Sequence, residues 1–60
     1  MRHFLFACDD STSEDYGFEF LVGEDDFAVA RTIAENEFGK VVYLDELTEW
    51  EAENSGLDEW

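Results

Sequence analysis

Proline is absent from this 60-residue sequence, and cysteine and histidine occur once each, as Cys8 and His3. A lone cysteine excludes an internal disulfide, and with a single histidine it cannot complete a Cys/His zinc site within one chain. Those staples are the usual support of small domains, because a chain of this length buries only about 60% of the surface its unfolded form exposes. Packing alone has to hold the fold. Basic residues are scarce as well: Arg2, Arg31 and Lys40 stand against 17 acids, for a formal net charge of −14. A field of that sign repels nucleic acid, other polyanions and anionic membranes, and attracts cationic surfaces. No apolar run approaches the roughly 20 residues of a membrane span, and the opening MRHFLFACDD is too short for a secretory apolar region with its cleavage site. With the free thiol, this points to a reducing cytoplasm.

What is present is apolar enough to fold, since 45% of residues are hydrophobic and 17% aromatic, far above the composition of a disordered acidic chain. Residues 2–8 (RHFLFAC) are apolar on both alternating faces and predict a central strand. After a polar loop over residues 9–15, residues 16–22 (YGFEFLV) predict a half-exposed second strand, with Phe18, Phe20 and Val22 on one face and Gly17, Glu19 and Leu21 on the other. The period then changes. Phe27, Ala30, Ala34 and Phe38 form one helical stripe with Ile33 at its edge, which predicts a long helix over residues 24–38. Glu24, Asp25 and Asp26 would sit in its first turn, at the positive end of the macrodipole, and Gly39 would supply a left-handed stop followed by Lys40. Residues 41–44 (VVYL) predict a third strand, parallel to the second through the helical crossover and antiparallel to the first if that lies between them. Thr48 and Glu51 have capping-box spacing, Leu47 and Ala52 have staple spacing, and Gly56 with Leu57 would close a short second helix. The expectation is a single α+β domain over residues 1–60, in the order ββαβα, with a mainly antiparallel three-stranded sheet and the long helix on one face.

Reactive constellations are few. His3 and Cys8 fall on opposite faces of their strand, no carboxylate stands out by motif or apolar setting, and no residue is assigned to catalysis, a metal or a cofactor. The loop DDSTSEDYGFEF alternates acids and serines somewhat like a calcium-binding EF-hand. Counted from Asp9, however, the required glycine is Glu14 and the bidentate glutamate is Phe20. A weak divalent-cation site is the residual reading of that loop.

The acids carry more information as a distribution. They occur throughout, and residues 41–60 hold the most, with Asp45, Glu46, Glu49, Glu51, Glu53, Asp58 and Glu59. Charge so one-sided suits a groove lined by Lys and Arg, the kind that nucleic-acid-binding proteins present to a phosphate row spaced about 3.4 Å along each strand. Carboxylates on alternate strand residues or four apart on a helix lie about 6–7 Å apart and can form a comparable ladder. The candidate partner-binding residues are Asp10, Glu14 and Asp15 in the loop, and Glu46, Glu49, Glu53, Asp58, Glu59 and Trp60 towards the other end. Trp50 is assigned to the core, and Trp60 is shared between packing on Leu57 and meeting a partner.

In size, acidity, aromatic content and compact layout the whole chain resembles the small acidic inhibitors of bacteriophages and mobile elements, the antirestriction and anti-CRISPR proteins that mimic DNA. The resemblance implies a non-enzymatic monomer that occupies the DNA-binding or PAM-recognition surface of a host defence complex, with a type I CRISPR effector as first choice. The alternative is an interaction module that binds a basic protein without blocking DNA.

Overall fold

The computed structural model describes all 60 residues. Three strands, β1 (His3–Cys8), β2 (Glu19–Gly23) and β3 (Val41–Leu47), and two helices, α1 (Phe27–Phe38) and α2 (Glu49–Glu53), follow in the expected ββαβα order. The sheet order is β2-β1-β3, and β1 pairs antiparallel with both neighbours. β1 is therefore the central strand that its two apolar faces predict.

One face of the sheet carries the main core. Phe4, Phe6, Phe20, Val22 and Val41 are buried against Ala30 and Ala34 of α1, with Phe27, Ile33 and Phe38 packed around them. The small alanines let the helix backbone settle close to the phenylalanine rings, and each fully buried ring contributes about 1.5–3 kcal/mol. Phe20 meets Phe38 at 4.2 Å between ring centroids, and Phe6 meets Phe20 at 6.0 Å. Cys8 is buried on the same side, its Sγ donating weakly to the carbonyl of Phe38 at 3.8 Å.

Several boundaries differ from the sequence reading for local reasons. Glu24, Asp25 and Asp26 precede α1 instead of filling its first turn. Asp26 is the N-cap, its carboxylate accepting from the backbone N–H of Ala28 at 2.8 Å and Val29 at 3.3 Å. Gly39 ends the helix with φ 77° but ψ −107°, so the turn uses the freedom of glycine without entering the left-handed helical well. β2 begins at Glu19 and not Tyr16, because Tyr16 and Gly17 complete the turn of the loop. β3 runs through Asp45 and Glu46 to Leu47. Leu5 faces Asp45 while Phe6 faces Tyr43, so Leu44 is the extra residue of a bulge. α2 carries the expected capping box between Thr48 and Glu51, but it stops at Glu53 with Asn54 as its cap, ahead of Gly56.

The second sheet face is not left open. Leu21, expected on a half-exposed face, is 1% exposed. Beyond β2 the chain returns in extended form and makes a single parallel bridge to the outer edge of that strand. Leu21 N–H donates to the Asp58 carbonyl, Trp60 N–H to the Leu21 carbonyl and Gly23 N–H to the Trp60 carbonyl, each at 2.8 Å. Glu59 thus pairs parallel with Leu21. No helix is long and apolar enough to cross a membrane.

Candidate functional site

The alternation of a strand decides what the segment Asp58–Trp60 does. Trp60 turns to the α1 side and packs edge-on against Phe20 at 5.4 Å and Phe38 at 5.1 Å, so its contact is the phenylalanine core and not Leu57. It keeps 39% of its surface exposed. Glu59 turns to the opposite face, where His3 Nδ1 donates to its carboxylate. Gly23 lies beneath this contact. A Cβ there would stand 3.2 Å from the Glu59 carboxyl carbon and 3.1 Å from the Met1 side chain, so the missing side chain opens the way across.

α2 completes the site. Leu47 and Ala52 are half-buried, which sets the face that α2 turns to the sheet, and Glu49, Ala52 and Glu53 border a groove there. Trp50 lies away from that groove and is 71% exposed, which corrects its assignment to the core: a helix of five residues has one buried side and the staple occupies it. The groove holds about 410 Å³. Leu21, Ala52 and Leu57 supply apolar walls, and Glu49, Glu53 and Glu59 bring three carboxylates to it.

The remaining candidates divide by position. Glu46 is answered within the chain: Arg2 Nε donates to its Oε2 at 3.0 Å and Arg2 Nη2 to its Oε1 at 2.8 Å. Arg2 also lies 4.7 Å over the Phe4 ring and donates to the Asp25 carbonyl at 3.2 Å. Glu46 therefore ties the end of β3 to the start of β1 rather than standing free. Asp10, Glu14 and Asp15 lie beyond the Cys8 end of β1, α2 follows the end of β3 that pairs with His3, and Glu59 pairs with Leu21 beside the middle of β1. The loop acids and α2 are thus separated by the length of that strand, about 17 Å. In the loop, Asp10 is fixed by the backbone N–H of Thr12 at 3.0 Å and its hydroxyl at 2.6 Å. No three acidic, histidine or cysteine side chains anywhere converge closely enough to hold a metal ion. His3 and Leu21, both part of the groove, went unselected in the sequence; an isolated histidine in an apolar strand carries no signal until its partner, Glu59, is brought to it from the far end of the chain.

Three carboxylates have lowered pKa values. The hydrogen bond from Arg2 lowers Glu46, the backbone N–H of Thr48 lowers Glu51, and the Thr12 hydroxyl lowers Asp10. A group held below its ordinary value, 4.5 for the glutamates, contributes stability that is fully present above that value and is lost as the pH falls through the folded-state pKa. Replacing Glu46 by Gln should therefore lower the melting temperature at neutral pH, and the gap to wild type should close under acid conditions. Glu53→Gln is the control, since Glu53 makes no ion pair and its loss only relieves repulsion. A gap for Glu46→Gln that is the same at pH 7 and in strong acid would remove the Arg2–Glu46 pair from the account of stability.

No protein-family model matches the sequence, and no curated protein or solved structure matches it.

Proposed function

We propose that the protein is a DNA mimic that binds the basic DNA-binding or PAM-recognition surface of a host defence complex, a type I CRISPR effector by preference, and keeps target DNA out. The supporting observation is how little of the charge is answered internally. Of 17 acids, only Asp25, Glu35 and Glu46 approach a cationic group and Glu59 meets His3, and with the histidine neutral the net charge stays at −14. Such self-repulsion destabilises a small fold unless a cationic partner uses it.

The layout suits a phosphate row. The molecule is 33 Å along its longest axis, close to one turn of duplex at about 34 Å. The loop acids and α2 stand about 17 Å apart, a separation of about five phosphates on one strand. The protein would act in the host cytoplasm as a monomer, with no cofactor and no chemistry of its own.

Competition measures this directly. With labelled target DNA bound to the purified effector, added protein should displace the DNA stoichiometrically, and its affinity should fall steeply between low and moderate salt as steering and rim contacts are screened. A stable complex with the effector that leaves the DNA bound would establish an interaction module and end the mimicry reading.

A further inference from the structure

The groove between α2 and the sheet has features that a solvated acidic surface does not need. Its floor includes Leu21, 1% exposed, and His3, 6% exposed. His3 gives Nδ1 to Glu59, and Nε2 has no partner within the protein. No buried side-chain nitrogen or oxygen is left unpaired, so Nε2 is not sealed in, and His3 is one of the residues that line the groove. An ionised carboxylate can only accept, so Glu59 holds a proton on Nδ1, and whenever the ring is neutral Nε2 is an acceptor. Glu49 and Glu53, four apart on α2, bring two further acceptors that no cation of the chain reaches. The carboxylates of Glu49, Glu53 and Glu59 border the groove as acceptors, and Met1, Leu21, Ala52 and Leu57 line it between them.

We propose that this groove is a socket for one arginine side chain of the basic partner. The aliphatic stem would lie on Leu21, Ala52 and Leu57, and the guanidinium would donate to Glu49, Glu53 and His3 Nε2. Arginine fits better than lysine on three counts. Its five donors lie in a plane and can reach several acceptors at once, its head is more weakly hydrated than an ammonium, and its charge persists at any working pH. A methylated ammonium would call for a cage of Trp, Tyr or Phe, and none of these borders the groove. The volume, about 410 Å³, lies within the range of about 300–1,000 Å³ typical of ligand clefts. The socket specifies an anchor for the partner proposed above and rests on that reading for its biological use, but not for its test.

The test is an NMR titration of the full chain with N-acetyl-arginine amide, with N-acetyl-lysine amide and NaCl as comparison titrants. Saturable amide shifts confined to the neighbourhood of Leu21, Ala52, Leu57 and Glu59 are expected, with the arginine amide binding more tightly than the lysine amide. Glu49→Gln with Glu53→Gln should weaken the arginine amide by about tenfold or more. Ala52→Met fills the groove while leaving the charge intact, and should abolish the localised shifts in a protein whose spectrum remains dispersed. Shifts spread over all acidic positions, equal binding of the lysine amide, or retention of binding in folded Ala52→Met would each overturn the socket. Because free arginine amide needs no partner and no DNA, a failed socket leaves DNA displacement standing, and a failed displacement leaves the socket standing.

Discussion

Reversing Glu49 and Glu53 together to Lys should abolish displacement of DNA from the partner while leaving the protein folded. Neither side chain is needed to hold the fold: both are exposed, neither is ion-paired, the α2 capping box runs through Thr48 and Glu51, and Glu49 adds only the dipole contribution of an acid in the first turn. The substitution removes two attractive charges from the groove and sets two cations against a cationic surface. Close interfacial charge pairs couple by about 1.5–7 kcal/mol, so a loss of about 100-fold or more in inhibition is expected. Asp26→Lys is the informative contrast. It destroys the α1 N-cap at a cost of about 1 kcal/mol, and should lower the melting temperature with far less effect on inhibition by the folded fraction. The measurement is competition against labelled DNA, paired with thermal melts of each variant. Inhibition at wild-type level by folded Glu49→Lys/Glu53→Lys protein would reduce the acids at this end to a solubility device.

Trp60→Ala should cost more stability than any of the charge substitutions. The indole covers Phe20 and Phe38 at 5.4 and 5.1 Å and holds the segment whose backbone pairs with Leu21 and Gly23. Truncating an aromatic in a core costs about 3–5 kcal/mol, and the partial exposure of Trp60 places it below that range, at about 2–3 kcal/mol. A domain of this size has only about 3–9 kcal/mol in total. At about 4–8 °C for each kcal/mol, the melting temperature should drop by about 10–20 °C. Inhibition should fall as well, since loosening Asp58–Trp60 removes Glu59 from His3 and opens the groove. Trp50→Ala provides the comparison: with 71% of its surface exposed, Trp50 should move stability by no more than about 0.5 kcal/mol. Equal melting points for the two variants would mean that Trp60 does not fasten the sheet.

The difference between the two tryptophans marks where the sequence stops being readable. Features set by neighbours within a few residues were legible: the stripe of Phe27, Ala30, Ala34 and Phe38, the stop at Gly39, and the Thr48–Glu51 cap. The strand order was legible too, because an apolar run such as residues 2–8 can only be central in a sheet. What joins Arg2 to Glu46 and His3 to Glu59 spans 44 and 56 residues, and no periodicity reports such pairings. The same holds for the burial of Leu21, which depends on a segment that returns after two helices and a strand. Among the acids, charge alone could not separate Glu46, spent on Arg2, from Glu49 and Glu53, which remain free.

The two borders of the sheet differ in a way that bears on self-association. On the β2 side the chain closes its own border with Asp58–Trp60, a segment too short to template another. On the β3 side the border is bare, and Val42, Tyr43 and Leu44 are each 40–46% exposed. Only the bulge at Leu44 and the acids Asp45 and Glu46 discourage another strand from docking there. Near the isoelectric point, about 4.1, the net repulsion between molecules lapses. Two molecules can then join β3 to β3 about a two-fold axis, and in doing so each consumes the one border it had to offer. Growth along the hydrogen-bonding direction ends with the pair, so acid precipitates of this protein should be amorphous and not fibrillar.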